Sequence, residues 1–372
     1  MKKVILTILV LLFISALLSC QSSSLIKESA DIRDNAVNHA IWAMSAHNMQ
    51  PWQVVLDKKN PLALDLYIDS SRLLPATDPY SRQIIISFGN FIAVLEDYAN
   101  SKGYSCEYNL FPEESLLESS NGENYTSSVA RIVFSENEEL KEIFRIDSLS
   151  GATVKRHFDP VIFNQAEKNE LTDLSEFDDI RIFILQEEDV ISELKTILID
   201  SFSIEMKLES TLMESFDLTR RSEKERREKA WGLSYLGAFP ASTVGLVEFF
   251  DRTFPMKPEK WGEIGIKNYI SEIETINSYL FINSKNNSRE SQIHTGIALQ
   301  RIWMELLKRG YAFLPASQPL QEYPEMNELY TDVHEKYALN GETIQMIGGI
   351  GKTDRKYKSG FRISAEKIIQ NN

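Results

Sequence analysis

The sequence predicts an α+β protein built as two related halves in one chain, and three observations predict it. The stretch SRQIIISFGNFIAVLEDYANSKGY (81–104) lines up with SRESQIHTGIALQRIWMELLKRGY (288–311) at a constant offset of 207, so that Ser-Arg, a central glycine and a terminal Gly-Tyr coincide. A strand-like segment precedes each copy, LYID before the first and LFIN before the second. Around both copies, apolar residues switch between the helical period and the period of two expected of strands.

The elements follow in order. Residues 30–46 place Ile32, Ala36, Val37, Ala40, Ile41 and Met44 on one helical face, and Pro51 in SAHNMQPW is a natural stop. QVVLD and LDLYID read as strands. A helix from Arg82 to Lys102 turns Phe88, Phe91, Ile92, Leu95 and Ala99 inward. Strands are expected near Glu107–Phe111 and Val129–Phe134, a short helix after them, then IRIFIL as another strand. One long amphipathic helix is expected from Glu188 to Ser215, and the charged run RRSEKERREKA (220–230) is a solvated stretch or a lid. GGIGKT (348–353) lacks the glycine spacing of a phosphate-binding loop and is expected to follow a strand. Gly103 and Gly310 fit ordinary helix C-caps. Gly89 and Gly296 fall inside helices, where glycine costs about 1 kcal/mol, which points to close approach of another backbone or of a flat ligand; chance coincidence is the alternative for the repeat.

Lys2 and Lys3 followed by VILTILVLLFISALLSC form a basic region and a short apolar core, the pattern of a cleaved export signal. LLSC resembles a bacterial lipobox, which implies cleavage before Cys20 and lipid on that residue; a plain anchor helix is the alternative. The expected division is therefore 1–20 signal peptide, 21–29 tether, 30–140 first half and 141–372 second half. The folded part would lie outside the cytoplasm on a membrane, the outer one slightly preferred because Gln21 is not the aspartate associated with inner-membrane retention in some bacteria. The formal net charge of −14 becomes two units more negative once Lys2 and Lys3 are removed, which argues against nucleic acid as a partner. Cys106 has no partner for an internal disulfide and reads as a small apolar filler. The histidines, His39, His47, His157, His294 and His334, show neither metal-ligand spacing nor a triad, so no metal and no catalytic acid or base is assigned.

MSAHNMQPWQVV (44–55) resembles the PS-x-x-N-x-QPW-x-F signature of the nitroreductase-like flavoproteins. LLPATDPYSRQIIISFGNFI (73–92), WGLSYLGAFP (231–240), GIALQRIWMELLKRGYAFLPASQPL (296–320) and the closing QMIGGIGKT and SGFR are similar to the Acg-type branch of that superfamily. The resemblance implies a nitroreductase-like fold, two units fused into a pseudo-dimer, and FMN as cofactor. Ser45, Asn48 and Gln50 carry hydroxyl and amide groups suited to a polar edge of the flavin or its substrate; a structural turn at a helix end is the plain alternative. Gly232, in Trp231-Gly232-Leu233, is the weakly placed candidate for a backbone N–H near the flavin ring.

DSLSGAT (147–153) resembles the D-x-x-[S/T]-G-A-T motif of proteins flavinylated by ApbE-type transferases. That resemblance implies a phosphoester between FMN and Thr153, with Lys155, Arg156 and Arg362 neutralising the remaining phosphate charge. A polar loop or helix N-cap is the alternative. The expected function is an exported, lipid-anchored FMN oxidoreductase supplied with electrons by a quinone-linked complex or a cytochrome and matured by a flavin transferase. The alternatives are a flavin-sequestering or electron-carrier protein without turnover, and a flavin-free binding module of the same fold.

Overall fold

The computed structural model describes residues 29–113, 126–140, 158–234, 241–339, 341–353 and 360–370. In the first half, helix α1 (Ile32–Ala40) leads to strands β1 (Trp52–Leu56) and β2 (Ala63–Ile68), helix α2 (Arg82–Ser101), and strands β3 (Tyr104–Leu110) and β4 (Ala130–Glu136). In the second, helix α3 (Gln165–Thr172) and strand β5 (Ile180–Leu185) precede a helical insertion. The insertion comprises α4 (Glu188–Glu205), α5 (Glu209–Leu218), strand β6 (Thr219–Arg220), α6 (Glu223–Glu228), strand β7 (Leu233–Ser234), α7 (Ala241–Thr253) and α8 (Pro258–Ile273). The half then resumes with strand β8 (Ser278–Ser284), helix α9 (Arg289–Lys308), strand β9 (Ala312–Pro315), helix α10 (Asn327–Tyr337) and strand β10 (Thr343–Gly351), and α11 (Ala365–Ile368) and β11 (Ile369–Gln370) close the chain.

The two main sheets share one topology. The first runs β11-β1-β2-β4-β3 and the second β5-β8-β10-β9. With β11 set aside, the first two strands pair antiparallel, and the strand after the repeated helix sits at the outer edge of the sheet in both. The α+β class and the two related halves expected from the repeat are therefore present in the backbone. β11 pairs parallel with β1, so the end of the second half completes the sheet of the first.

The halves meet where α2 crosses α9, and the crossing is symmetric. A Cβ on Gly89 would lie 2.1 Å from the Ile293 carbonyl oxygen, and a Cβ on Gly296 would lie 2.0 Å from the Ile86 carbonyl oxygen. Ile86 and Ile293 are themselves repeat equivalents, so each helix presents the same patch to the other, the rule of a two-fold interface. Of the two reasons that the helical glycines suggest, the structure selects close backbone approach. The side chains interlock in the same sense: Ile293 and Ile297 of α9 pack into the core of the first half, and Ile86 of α2 into a core of the second.

Phe88, Phe91, Ile92, Leu95 and Ala99 are fully buried, as the helical spacing predicts. Three expectations are corrected. The helix expected over Glu188–Ser215 is two helices broken at 206–208, because α8 needs room: a Cβ on Gly262 would meet the Met206 carbonyl oxygen at 2.7 Å. The glycines of GGIG lie inside β10 and not after a strand, since the space above Gly348 is filled by the Phe313 ring and that above Gly349 by Ile276. The first helix ends at Ala40, short of the expected 46, and frees residues 41–51 for the loop described next.

Candidate functional site

Three of the four residues from His47 to Gln50 have left-handed backbone: His47 at φ 44°, Asn48 at 53° and Gln50 at 51°. Asparagine tolerates this region; for the others it costs of order 1–3 kcal/mol per residue and persists only where surroundings over-determine it. The surroundings here come from both repeat helices. Ala46 N–H donates to Ser87 Oγ (3.0 Å) on α2, Met44 N–H donates to Gln300 Oε1 (3.0 Å) on α9, and Asn90 Nδ2 donates to the Met44 carbonyl (2.9 Å). Ser45 Oγ accepts from Gln50 N–H at 3.1 Å. Met49 and Trp52 are buried on either side, and Trp52 Nε1 donates to the Ser87 carbonyl.

This loop aims Asn48 and Gln50 at two other chain segments. Asn48 Oδ1 accepts from Arg362 Nη1 (3.0 Å), while Asn48 Nδ2 donates to the Gly232 carbonyl (3.2 Å) and Gly232 N–H donates to the Asn48 carbonyl (3.0 Å). Gln50 Nε2 donates to the Ala230 carbonyl (2.7 Å) and Gln50 Oε1 accepts from Ile363 N–H (2.8 Å). Ser45, Asn48, Gln50, Gly232 and Arg362 are thus brought together from positions up to 317 apart in number. The Gly232 N–H is engaged with Asn48, so in this arrangement it is a backbone partner within the site and not a free donor. Gly232 must be glycine: its φ is +92°, and a Cβ would sit 2.4 Å from the Leu218 carbonyl oxygen.

Residues 219–234 form a strap closed at its neck by the parallel pair β6–β7. Arg220 Nε donates to the Trp231 carbonyl at 2.9 Å, and the guanidinium groups of Arg220 and Arg72 both lie over the Trp231 ring, 4.3 and 4.0 Å from its centroid. Such stacking is worth about 0.5–2 kcal/mol per cation. Burial pushes both guanidinium groups below their ordinary pKa. On the other side of the strap, Arg226 of α6 lies over the Phe361 ring at 4.8 Å. Within the charged run 220–230, Lys224, Glu225, Arg227, Glu228 and Lys229 are exposed, while Arg220 and Arg226 pack on the Trp231 and Phe361 rings.

Arg362 is the electrostatic anomaly of the site. It donates to the carbonyls of Phe361 and Trp42 and to Asn48, yet its Nε is buried without a partner and, among the described residues, no carboxylate pairs with it. Burial alone pulls its pKa down to about 10.

The remaining nominated residues, Thr153, Lys155, Arg156 and Cys20, lie outside the described residues, as does His157. The chain is pinned directly after them: Phe158 is buried, its N–H donates to Thr275 Oγ1 (3.0 Å), and Asp159 and Lys352 exchange backbone hydrogen bonds of 2.8 and 2.9 Å. At Gly360 a Cβ would stand 3.7 Å from Asn48 Nδ2. His39, His294 and His334 serve packing: His39 stacks on Tyr98, His294 bonds Asp179 and stacks on Phe177, and His334 Nε2 accepts from Ile344 N–H. The Cys106 thiol is pushed up by burial and packs against the first-half core. Sequence reasoning missed Arg72, Ser87 and Gln300, and read Arg220 only as part of the charged run 220–230. Only Ser87 and Gln300 had an available signal, since both lie in the repeated helices as polar residues on otherwise buried turns.

No family model matches the chain, and no curated protein matches it. Among solved structures, it is similar to an FMN-dependent nitroreductase of Mycobacterium smegmatis in complex with NADPH, at 12% identity over 56% of this chain and 86% of that one, with a TM-score of 0.33. A nitroreductase with bound FMN from Desulfitobacterium hafniense DCB-2 aligns at 7% identity over 61% of this chain and 97% of its own, with a TM-score of 0.36. An FMN and NADPH-dependent nitroreductase from Sphigopyxis sp. strain HMH aligns at 13% identity over 61% and 97%, also with a TM-score of 0.36. Likeness this distant carries no functional argument.

Proposed function

We propose that the protein is a nitroreductase-like flavoprotein that holds FMN over the Ser45–Gln50 loop, exported and anchored through lipid on Cys20, with the FMN phosphate esterified to Thr153. The observation that carries this reading is Arg362, a half-buried arginine whose Nε is buried without a hydrogen-bond partner and which has no carboxylate partner among the described residues. A flavin phosphate matches that need in charge and in acceptor geometry. Supporting it are the strained amide-bearing loop, the motif DSLSGAT, and the pinned flank at Phe158, from which Thr153 lies at most roughly 18 Å along the chain.

In this reading Arg362 holds the phosphate, with Lys155 and Arg156 beside it, while Asn48 and Gln50 fix the polar edge of the ligand. The loop is held from α2 and α9, so the two halves together position it. The flavin, when bound, supplies electron or hydride transfer, and the protein supplies orientation and electrostatics. Covalent attachment suits a compartment without free FMN, because it converts rebinding into an intramolecular event with effective concentration on the order of millimolar. NADH and NADPH are cytosolic, so the electrons would come from a quinone-linked complex or a cytochrome, and purified flavinylated protein would oxidise NADPH slowly.

A second reading, a flavin-sequestering or carrier protein without turnover, is favoured by one observation: the strap bonds directly to Asn48 and Gln50 through Gly232 and Ala230. Slow reduction of every nitro and quinone acceptor at full flavin occupancy selects it. For the attachment itself, intact mass is measured for protein produced with and without a flavin transferase. A gain of one FMN less water that disappears in Thr153→Val is expected; an unmodified chain, or a gain that survives the substitution, overturns Thr153 as acceptor.

A further inference from the structure

The helix α7 carries its apolar residues on the outside. Leu246, Phe249, Phe250 and Phe254 are exposed at 59, 53, 53 and 70%, and Met256 follows close behind. Their spacing, with Phe254 N–H donating to the Phe250 carbonyl at 2.8 Å, puts them on adjacent turns of one face. The polar side chain of the same helix points the other way: Glu248 Oε1 accepts from Glu223 N–H (2.6 Å) at the start of α6. A helix with several large apolar side chains in water beside an inward-bonded Glu248 departs from the usual arrangement of a surface helix. No comparable concentration of exposed large apolar side chains occurs among the other described residues, and a patch of this kind marks a docking surface.

We infer that this face lies in the surface of the lipid bilayer that carries the protein. The inference rests on the reading of Cys20 as the lipid-bearing residue. From Cys20 to Ser29, the first described residue, the chain spans at most roughly 30 Å, so a protein anchored there stays within reach of the bilayer surface. The apolar face of α7 is the one suited to that position. Its only charged residues are Glu248, Asp251 and Arg252, so the complementary surface is zwitterionic, phosphatidylcholine or phosphatidylethanolamine, and not an anionic lipid patch that a basic helix would seek. An interfacial helix of this type sinks about 5–10 Å into the headgroup boundary. Because Glu248 holds α6, the strap over Asn48 is tied to the same helix, and seating α7 in lipid fixes one end of the strap.

The test uses the full chain, lipidated and reconstituted into phosphatidylcholine–phosphatidylethanolamine vesicles doped with lipid brominated on its acyl chains. Phe250→Trp is compared with Leu339→Trp, an equally exposed position at 58% outside the patch. The emission added by Phe250→Trp is expected to be blue-shifted and mostly quenched, and that added by Leu339→Trp unquenched. Equal, unquenched emission from both overturns the inference. Intact mass reads the lipid on Cys20 separately: a lipidated chain without quenching sinks the bilayer face and leaves the anchor standing. An unlipidated chain still quenched by added vesicles sinks the anchor and supports the face, and one that is not quenched sinks both. A concentration-dependent dimer in sedimentation that Phe250→Asp abolishes, with no quenching, assigns the face to a second copy and also overturns the inference.

Discussion

The α2–α9 crossing and the strap over Asn48 are made on opposite principles. At the crossing, two repeat-equivalent helices touch through repeat-equivalent atoms, backbone against backbone at Gly89 and Gly296, with apolar side chains interlocked around them. At the strap, residues from four unrelated stretches meet through amides, carbonyls and guanidinium groups, and Arg72 Nη1, Arg220 Nη2 and Arg362 Nε are buried with no partner. The first region is dense and mainly apolar, although Asn90 Oδ1, Gln300 Nε2 and Trp303 Nε1 on its two helices are also buried without a hydrogen-bond partner among the described residues; the second is polar.

The largest expected effect tests the dense region. Gly89→Ala sets a methyl 2.1 Å from the Ile293 carbonyl oxygen, a backbone atom that cannot rotate away. We expect a loss of at least about 3 kcal/mol in denaturant unfolding, or no folded product; a loss below about 1 kcal/mol would mean that the helices slide past each other and that the crossing is not dense.

The polar region is tested by Arg362→Gln. Without flavin the variant is expected to be as stable as the parent or more so, by up to about 2 kcal/mol, because a partly buried cation with no carboxylate partner among the described residues is removed. With flavin, affinity is expected to fall at least about tenfold through loss of a charge-assisted contact. Both are read by thermal unfolding with and without FMN, and a variant that loses stability but retains flavin would make Arg362 a structural residue.

A smaller, pH-dependent effect lies between the two regions. Asp78 is buried, and burial raises its pKa to about 6 against the pull of Arg82 and of the hydrogen bonds from Gln83 and Ile84 N–H. Its folded pKa lies above its unfolded value of 3.8, so the folded protein binds the extra proton. The contribution of this group to stability is therefore greatest below pH 4 and declines as pH rises to 6. Asp78→Asn removes that dependence: the stability of the parent relative to the variant is expected to drop by about 1–2 kcal/mol between pH 4 and 7, measured by urea unfolding. A difference that does not change with pH would place the proton elsewhere.

Much of the fold was legible. The repeat announced the two halves, and period alone identified the buried face of α2. It also flagged Gly89 and Gly296 as anomalies, since a glycine in a helix interior is a local loss that something nonlocal must offset. What that something was, backbone or ligand, no local pattern states. The break at 206–208 was invisible because no proline or glycine marks it; α8 packing onto Met206 imposes it. Of the candidate site, Ser45, Asn48, Gln50, Gly232 and Arg362 were each nominated from resemblance, but their hydrogen bonds to one another were not foreseeable. Arg72 went unnoticed, and Arg220 was read only as part of the charged run 220–230, because an arginine over an indole ring leaves no periodic trace.

By itself, the sequence determined the α+β class, the doubling, and which helical faces are apolar, because those depend on periodicity and on residue-by-residue preference along one chain. Only the tertiary structure decided that the helical glycines serve helix contact, that Ala230 and Gly232 bond to Gln50 and Asn48, and that Arg362 has no carboxylate partner among the described residues. Those outcomes depend on distances between segments hundreds of residues apart, where burial and the absence of a countercharge are properties of the assembled packing and of no single stretch.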